Sequence, residues 1–254
     1  MKQMKFFLVA LMAVVMGMSV TSCMNGDDNT QVNDLPVLGK VKDSFLGLTF
    51  TSLDGFTFKS KNTVEGTTNF MTGDFIVAMC SYDREVDIDY TTNTINATIG
   101  STEKISGNAV HSTTKAEDEG EHPSYVSDRG VISITDLKPA MIDNYNLLVP
   151  IQYFAFEKTS HTFFMVYYSD ENELKGKTDL KLFLRHTSTE EKAKETYRAF
   201  SYRVFDIRSA IEAYKNANEG RYPSNITIVS EANSSNNDVP KTTTTTPVTY
   251  TFRE

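Results

Sequence analysis

Tryptophan is missing from this chain altogether, and only two of its 254 residues are cysteine. The first absence removes the largest stacking surface a protein can offer a sugar ring. The second removes a disulfide framework, because Cys80 has no thiol partner if Cys23 is consumed elsewhere, so stability must come from packing. Cys80 itself lies in the apolar run 75–80 and reads as a small buried hydrophobe. Also missing are His-Glu-x-x-His, Cys-x-x-Cys, Gly-x-Ser-x-Gly and any phosphate-cradling glycine loop, so the familiar routes to hydrolysis and nucleotide use have no support. The four histidines, His111, His122, His161 and His186, are scattered, with no ligand spacing among them. No metal, no cofactor and no enzymatic activity is expected. Basic residues are short as well, 25 against 33 acidic ones for a net charge of −8. That balance opposes nucleic acid and favours a cationic partner.

What is present begins at the N-terminus. Lys2 and Lys5 precede an apolar stretch from Phe6 to Met18, too short for a permanent membrane span, and Val20-Thr21-Ser22 puts small residues directly before Cys23. Residues 1–22 therefore read as a lipoprotein signal peptide, with Cys23 as the residue that is acylated and holds the chain to a membrane. Residues 23–35 are polar and rich in turn formers and read as a flexible tether. Its acidic pair, Asp27 and Asp28, reads either as part of an ordinary solvated linker or as similar to the export signal of surface lipoproteins in the Bacteroidetes, and the expected place of the anchor is the outer membrane, at the cell surface or on the periplasmic face.

Beyond the tether the pattern is mostly that of strands. Residues 46–60 alternate apolar and polar around Asp54-Gly55, the signature of a tight hairpin. A buried strand over 75–81, an alternating one with Val86, Ile88 and Tyr90 opposite Glu85, Asp87 and Asp89, and another at 94–99 suggest a small closed or nearly closed barrel over 36–110. Residues 111–129 lose apolar periodicity and read as a linker or loop. Seven strand candidates follow over 130–254, at 131–135, 147–156, 161–168, 180–185, 197–205, 226–229 and 248–252, as expected of an antiparallel β-sandwich. Pro150 marks an edge or a bulge. One short amphipathic helix is expected after Asp206, with Ile207, Ala210, Ile211 and Tyr214 on one face and Gly220 to end it. Residues 231–247, with five consecutive threonines, read as a long loop or as an extension of the last strand.

Two groups stand out as ligand candidates. Glu85, Asp87 and Asp89 would share one strand face and could meet a hard cation or a basic peptide, although outward charges also keep a strand edge from pairing. Tyr167 and Tyr168 close the aromatic stretch 161–168, which is apolar on both faces. Such a stretch suits a central strand covered on both sides or a solvent-facing platform for sugar or peptide.

The leader with Asn25-Gly26-Asp27-Asp28-Asn29 behind it resembles the NigD-like lipoproteins of Bacteroides and Prevotella relatives. Asp54-Gly55, the stretch Leu182-Phe183-Leu184-Arg185-His186 and the tyrosine-rich Tyr197 to Tyr202 followed by Phe205-Asp206-Ile207 are similar to that family too. The resemblance implies a mainly β chain, an N-terminal OB-like β-barrel followed by a C-terminal β-sandwich. The anchor, the acidic surface and the missing chemistry together point to a non-enzymatic envelope lipoprotein that binds a peptide or protein, and the resemblance suggests a bacteriocin-immunity role for it. The alternative is a glycan-binding accessory lipoprotein of a surface uptake system.

Overall fold

Alternation of apolar and polar residues closes the first part of the chain into a barrel. The computed structural model describes residues 30–45, 47–64, 70–105, 107–134, 138–157 and 160–252, and the chain divides into two units, Met1–Ser106 and Gly107–Glu254. The leader, Cys23, Asp27 and Asp28 lie outside the described residues. In the first unit the strands are β1 (Gln31–Asp43), β2 (Thr49–Ser52), β3 (Thr57–Ser60), β4 (Phe75–Asp83), β5 (Ile88–Asp89) and β6 (Thr94–Ile105). β1 pairs with both β2 and β4, β6 pairs with both β4 and β3, and β2 pairs with β3, so five strands close on themselves. Ile76, Ala78 and Cys80 on β4 and Ile95, Ala97 and Ile99 on β6 point inward at every second residue. They meet Phe50 and Phe58, whose rings stack at 5.2 Å. Gly39 on β1 is where the wall comes closest to Phe50: a Cβ there would lie 2.4 Å from the ring. Burial pushes the Cys80 thiol up to about 12, so it stays a neutral core group.

Two expectations change here. The last residues of the expected tether, 31–35, already belong to β1, where Asp34 takes a positive φ at a bulge against Ser81 and Cys80. The acidic alternation at 85–90 is not a full strand: residues 84–87 form a turn, and strand pairing is limited to Ile88 and Asp89. The cause is local, because Asp83 and Asp89 each hold the backbone of the residues that follow and bend the chain at both ends.

The second unit contains β7 (Gly107–Ala109), β8 (His111–Thr113), α1 (Lys115–Asp118), β9 (Ala140–Met141), β10 (Asn146–Ala155), β11 (His161–Tyr168) and α2 (Glu171–Leu174). It continues with β12 (Asp179–Ser188), β13 (Tyr197–Asp206), α3 (Arg208–Ala217), β14 (Asn225–Ser230) and β15 (Thr244–Thr249). One sheet has the order β7-β13-β10-β9 and the other β15-β14-β12-β11-β8, and both bury residues in one core. The sandwich is mixed rather than purely antiparallel, since β7 with β13, β8 with β11 and β12 with β14 run parallel. The last of these pairs requires a crossover, which β13 in the opposite sheet and α3 supply.

Pro150 shows how an apparent breaker is tolerated. β10 is unbroken, with Pro150 opposite Tyr202. Gln152 turns its N–H and C=O toward Ser133 and away from β13, so Pro150, two residues earlier, turns its missing N–H toward that same sheet edge. α3 buries Ala210, Ile211 and Tyr214, and Gly220 at φ +80° accommodates the exit. Asp206 accepts from the Arg208 N–H at the start of the helix. Residues 231–243 form the loop, with one isolated bridge at Ala232, and the threonine run enters β15 at Thr244, so both expected forms occur in turn.

Candidate functional site

At one end of the barrel the acids are occupied with the chain itself. Asp83 accepts from the Glu85 N–H and from the Thr30 hydroxyl, and these bonds hold its carboxyl below the usual range. The buried Asp87 accepts from the Asp83 N–H at 2.8 Å and pairs with Lys61, and both lower its pKa in that order. Asp89 accepts from Thr92 and from the Thr91 N–H. Glu85 is exposed. These groups therefore build the turns around β5 rather than a shared coordination sphere. The same turns expose Val86 (81%) and Tyr90 (70%). The tip of the β2–β3 hairpin, with Leu53 and Asp54, lies at that end as well, because Thr57 is level with Thr94, and Thr94 with Asp89.

The aromatic stretch follows the covered-strand reading. Phe163, Met165 and Tyr167 enter the sandwich core, and Tyr167 is 6% exposed. On the opposite face Tyr168, also buried, stacks on Phe183 at 4.4 Å and donates its hydroxyl to Asp118 at 2.7 Å. Asp118 pairs in turn with Arg185 at 2.6 Å, and Arg185 with Glu231 at 3.1 Å. Tyr125 and His111 pack on Phe164. The segment 111–125, which reads as a linker in sequence, thus lies over this face of the sheet. Tyr167 and Tyr168 form no solvent-facing platform.

A third group was not marked by sequence pattern. His161 opens β11 opposite Ser188 of β12, which places it diagonal to His186 on the same face and beside Glu190 just past the strand end. His161 Nδ1 lies 2.9 Å from His186 Nε2, and His186 Nδ1 lies 3.2 Å from the Gly130 carbonyl oxygen. A carbonyl can only accept, so His186 donates from Nδ1 and accepts at Nε2, and His161 donates from Nδ1. The remaining atom, His161 Nε2, then carries a lone pair. It is buried, makes no hydrogen bond, and faces Glu190 at 3.9 Å. Glu195 lies beside it, bonded by Arg129 Nε at 2.8 Å and by Asn237 Nδ2 at 2.6 Å. The Arg129 guanidinium also donates to the Glu190 backbone carbonyl. Burial pushes His186 down to about 3 and lowers His161 against the opposing pull of Glu195 and Glu190, so burial favours the neutral form of both rings. Alternation of His186, Ser188 and Glu190 along one strand is the one signal that could have joined them, but the partner strand and Glu195 are fixed only by the fold.

No protein-family model and no curated protein matches the chain. Solved structures do. A candidate lipoprotein from Bacteroides fragilis is 22% identical at a TM-score of 0.71, covering 88% of this chain and 100% of its own. A toxin-related protein from Parabacteroides distasonis is 11% identical at 0.52, covering 84% and 91%. A NigD-like immunity protein from Bacteroides caccae is 13% identical at 0.50, covering 88% and 94%. These likenesses extend over both units and establish a shared fold.

Proposed function

We propose that the chain is a non-enzymatic lipoprotein, anchored through Cys23 to the outer membrane, that binds a cationic, partly apolar peptide or protein in an immunity-type role. The observation that carries this reading is the exposed end of the barrel. Val86 and Tyr90 stand out into solvent beside Glu85 and Asp89, with Arg84 in the same turn and Leu53 and Asp54 on the neighbouring hairpin. Apolar groups rimmed by acids suit a basic amphipathic segment, since burial supplies affinity and the charge supplies encounter rate and selectivity. The shared fold with an immunity protein and a toxin-related protein supports the same direction. The glycan reading named Tyr167 and Tyr168 as its platform, and both are buried.

The test is survival of cells that carry or lack the gene, challenged with bacteriocins from related Bacteroidetes. Protection that disappears in a Val86→Asp, Tyr90→Asp double variant made at normal levels supports the proposal. Equal killing of both strains removes the immunity role. Mass spectrometry of the membrane-purified protein and protease shaving of intact cells address the anchor separately: acylated Cys23 with peptides released places it on the surface, acylation without release on the periplasmic face.

A further inference from the structure

Two carboxylates, a buried imidazole lone pair and an arginine rarely converge without a purpose, and here their electrostatics are unbalanced. The carboxylates of Glu190 and Glu195 lie beside one guanidinium, Arg129, which bonds Glu195 through Nε and reaches only the backbone carbonyl of Glu190. His161 Nε2 adds electron density to the same spot and has no proton to share with the carboxylates in the tautomer set by His186 and Gly130. Its side chain is fully buried, as is that of Glu195, and Glu190 is 10% exposed. A buried acceptor with no donor costs free energy that water or a cation must offset.

We propose that His161 Nε2, Glu190 and Glu195 bind one divalent transition-metal ion of the zinc type. One ligand atom from each lies within 4.8 Å of the other two. Tetrahedral zinc bonds of roughly 2.0–2.1 Å place ligand atoms about 3.3 Å apart, so the three must draw together by at most about 1.5 Å. Rotation of Glu190, the partly exposed member, whose Oε2 also accepts from the Phe156 N–H at 3.1 Å, can supply that. The outer shell is already in place. His161 donates its other ring nitrogen to His186, which is itself held by a backbone carbonyl, and Glu195 is oriented by Arg129 and Asn237. Such second contacts are what fix the ring and carboxylate of a metal ligand. Nitrogen together with oxygen donors selects zinc-like ions over calcium or magnesium.

The closed surroundings assign the ion a structural task. It would join the start of β11 to the connection 189–196, which leads from β12 in one sheet to β13 in the other. The experiment uses the untagged full-length chain in detergent, with Cys23→Ser throughout so that no terminal thiol competes. After chelator treatment it is titrated calorimetrically with Zn2+, and with Co2+ while the visible spectrum is recorded. The expected result is one ion per chain, tetrahedral Co2+ bands and a higher unfolding midpoint with Zn2+. His161→Phe should abolish binding, and Glu190→Gln should weaken it at least about tenfold. Failure of the parent chain to bind stoichiometrically overturns the proposal, as does undiminished binding by His161→Phe. If that variant does not fold, unchanged affinity in Glu190→Gln overturns it equally.

Discussion

The barrel and the sandwich handle polar groups in opposite ways. In the barrel, Asp83, Asp87 and Asp89 each bond the backbone of the turns that they belong to, and Asp83 with Thr30 and Asp87 with Lys61 add a more distant partner. The sandwich instead buries charge far from where it is bonded in sequence: Arg129 meets Glu195, and Arg185 meets Asp118 and Glu231. Local polar bonds shape a chain, whereas long-range buried ones hold separate segments together and become costly when one partner is lost. The barrel should therefore be more tolerant of charge removal than the sandwich.

The strongest test of that contrast is Arg129→Met. It leaves Glu195 buried with only Asn237 as donor, and removal of one partner from a buried pair costs about 3–5 kcal/mol. Urea unfolding followed by hydrogen exchange, read separately over 30–105 and 107–252, should show the loss confined to the second unit. In the barrel the corresponding weak point is steric. Gly39→Ala places a methyl group 2.4 Å from the Phe50 ring and 2.7 Å from the Thr51 carbonyl oxygen, and overpacking against backbone costs about 1–3 kcal/mol. Exchange should rise in β1 and β2 with the sandwich unchanged. A smaller effect belongs to Tyr168→Phe, which removes one hydrogen bond while Asp118 keeps Arg185, for about 1 kcal/mol. Its signature is faster exchange over 111–118, the segment held to the sheet by that hydroxyl.

The same contrast decides what could be read before the fold was known. Residues 76, 78 and 80 alternate, and Asp54-Gly55 turns where expected, because period-two patterning and turn chemistry act within a few residues. Five of the sandwich strands follow for that reason, the expected 248–252 meets β15 only at Val248 and Thr249, and 131–134 gives isolated bridges at Val131 and Ser133. The segment 111–129 had no periodicity to reveal, since its order comes from Tyr125 on Phe164 and Asp118 on Tyr168 and Arg185, partners 39 to 67 residues away. Asn237, inside the low-complexity stretch, is tied to Glu195 and to the Lys192 carbonyl. The parallel β12–β14 pair, which encloses a whole strand and helix of intervening chain, leaves no local trace. Glu190 and Glu195 were overlooked beside His161 because only strand register and a long connection bring the three together.

The smallest effect sharpens the barrel side of the comparison. The Asp83 N–H and then Lys61 hold the Asp87 carboxyl below its ordinary pKa, with the Asp83 carboxylate opposing them. A carboxyl whose folded pKa is depressed favours the folded state above its unfolded pKa, near pH 4, and loses that contribution as pH falls through the folded value. The first unit should thus weaken on acidification below about pH 4. Asp87→Asn keeps an oxygen for the Asp83 N–H but cannot pair with charged Lys61, so it should flatten the acid limb and lower stability slightly at neutral pH. Exchange in β5 and at Asn96, whose N–H is accepted by the Asp87 carbonyl, reads both changes directly. An acid limb of undiminished steepness in Asp87→Asn would assign it to other carboxylates, and a large neutral-pH loss would mean that Asp87 acts like the buried charges of the sandwich rather than as a turn residue.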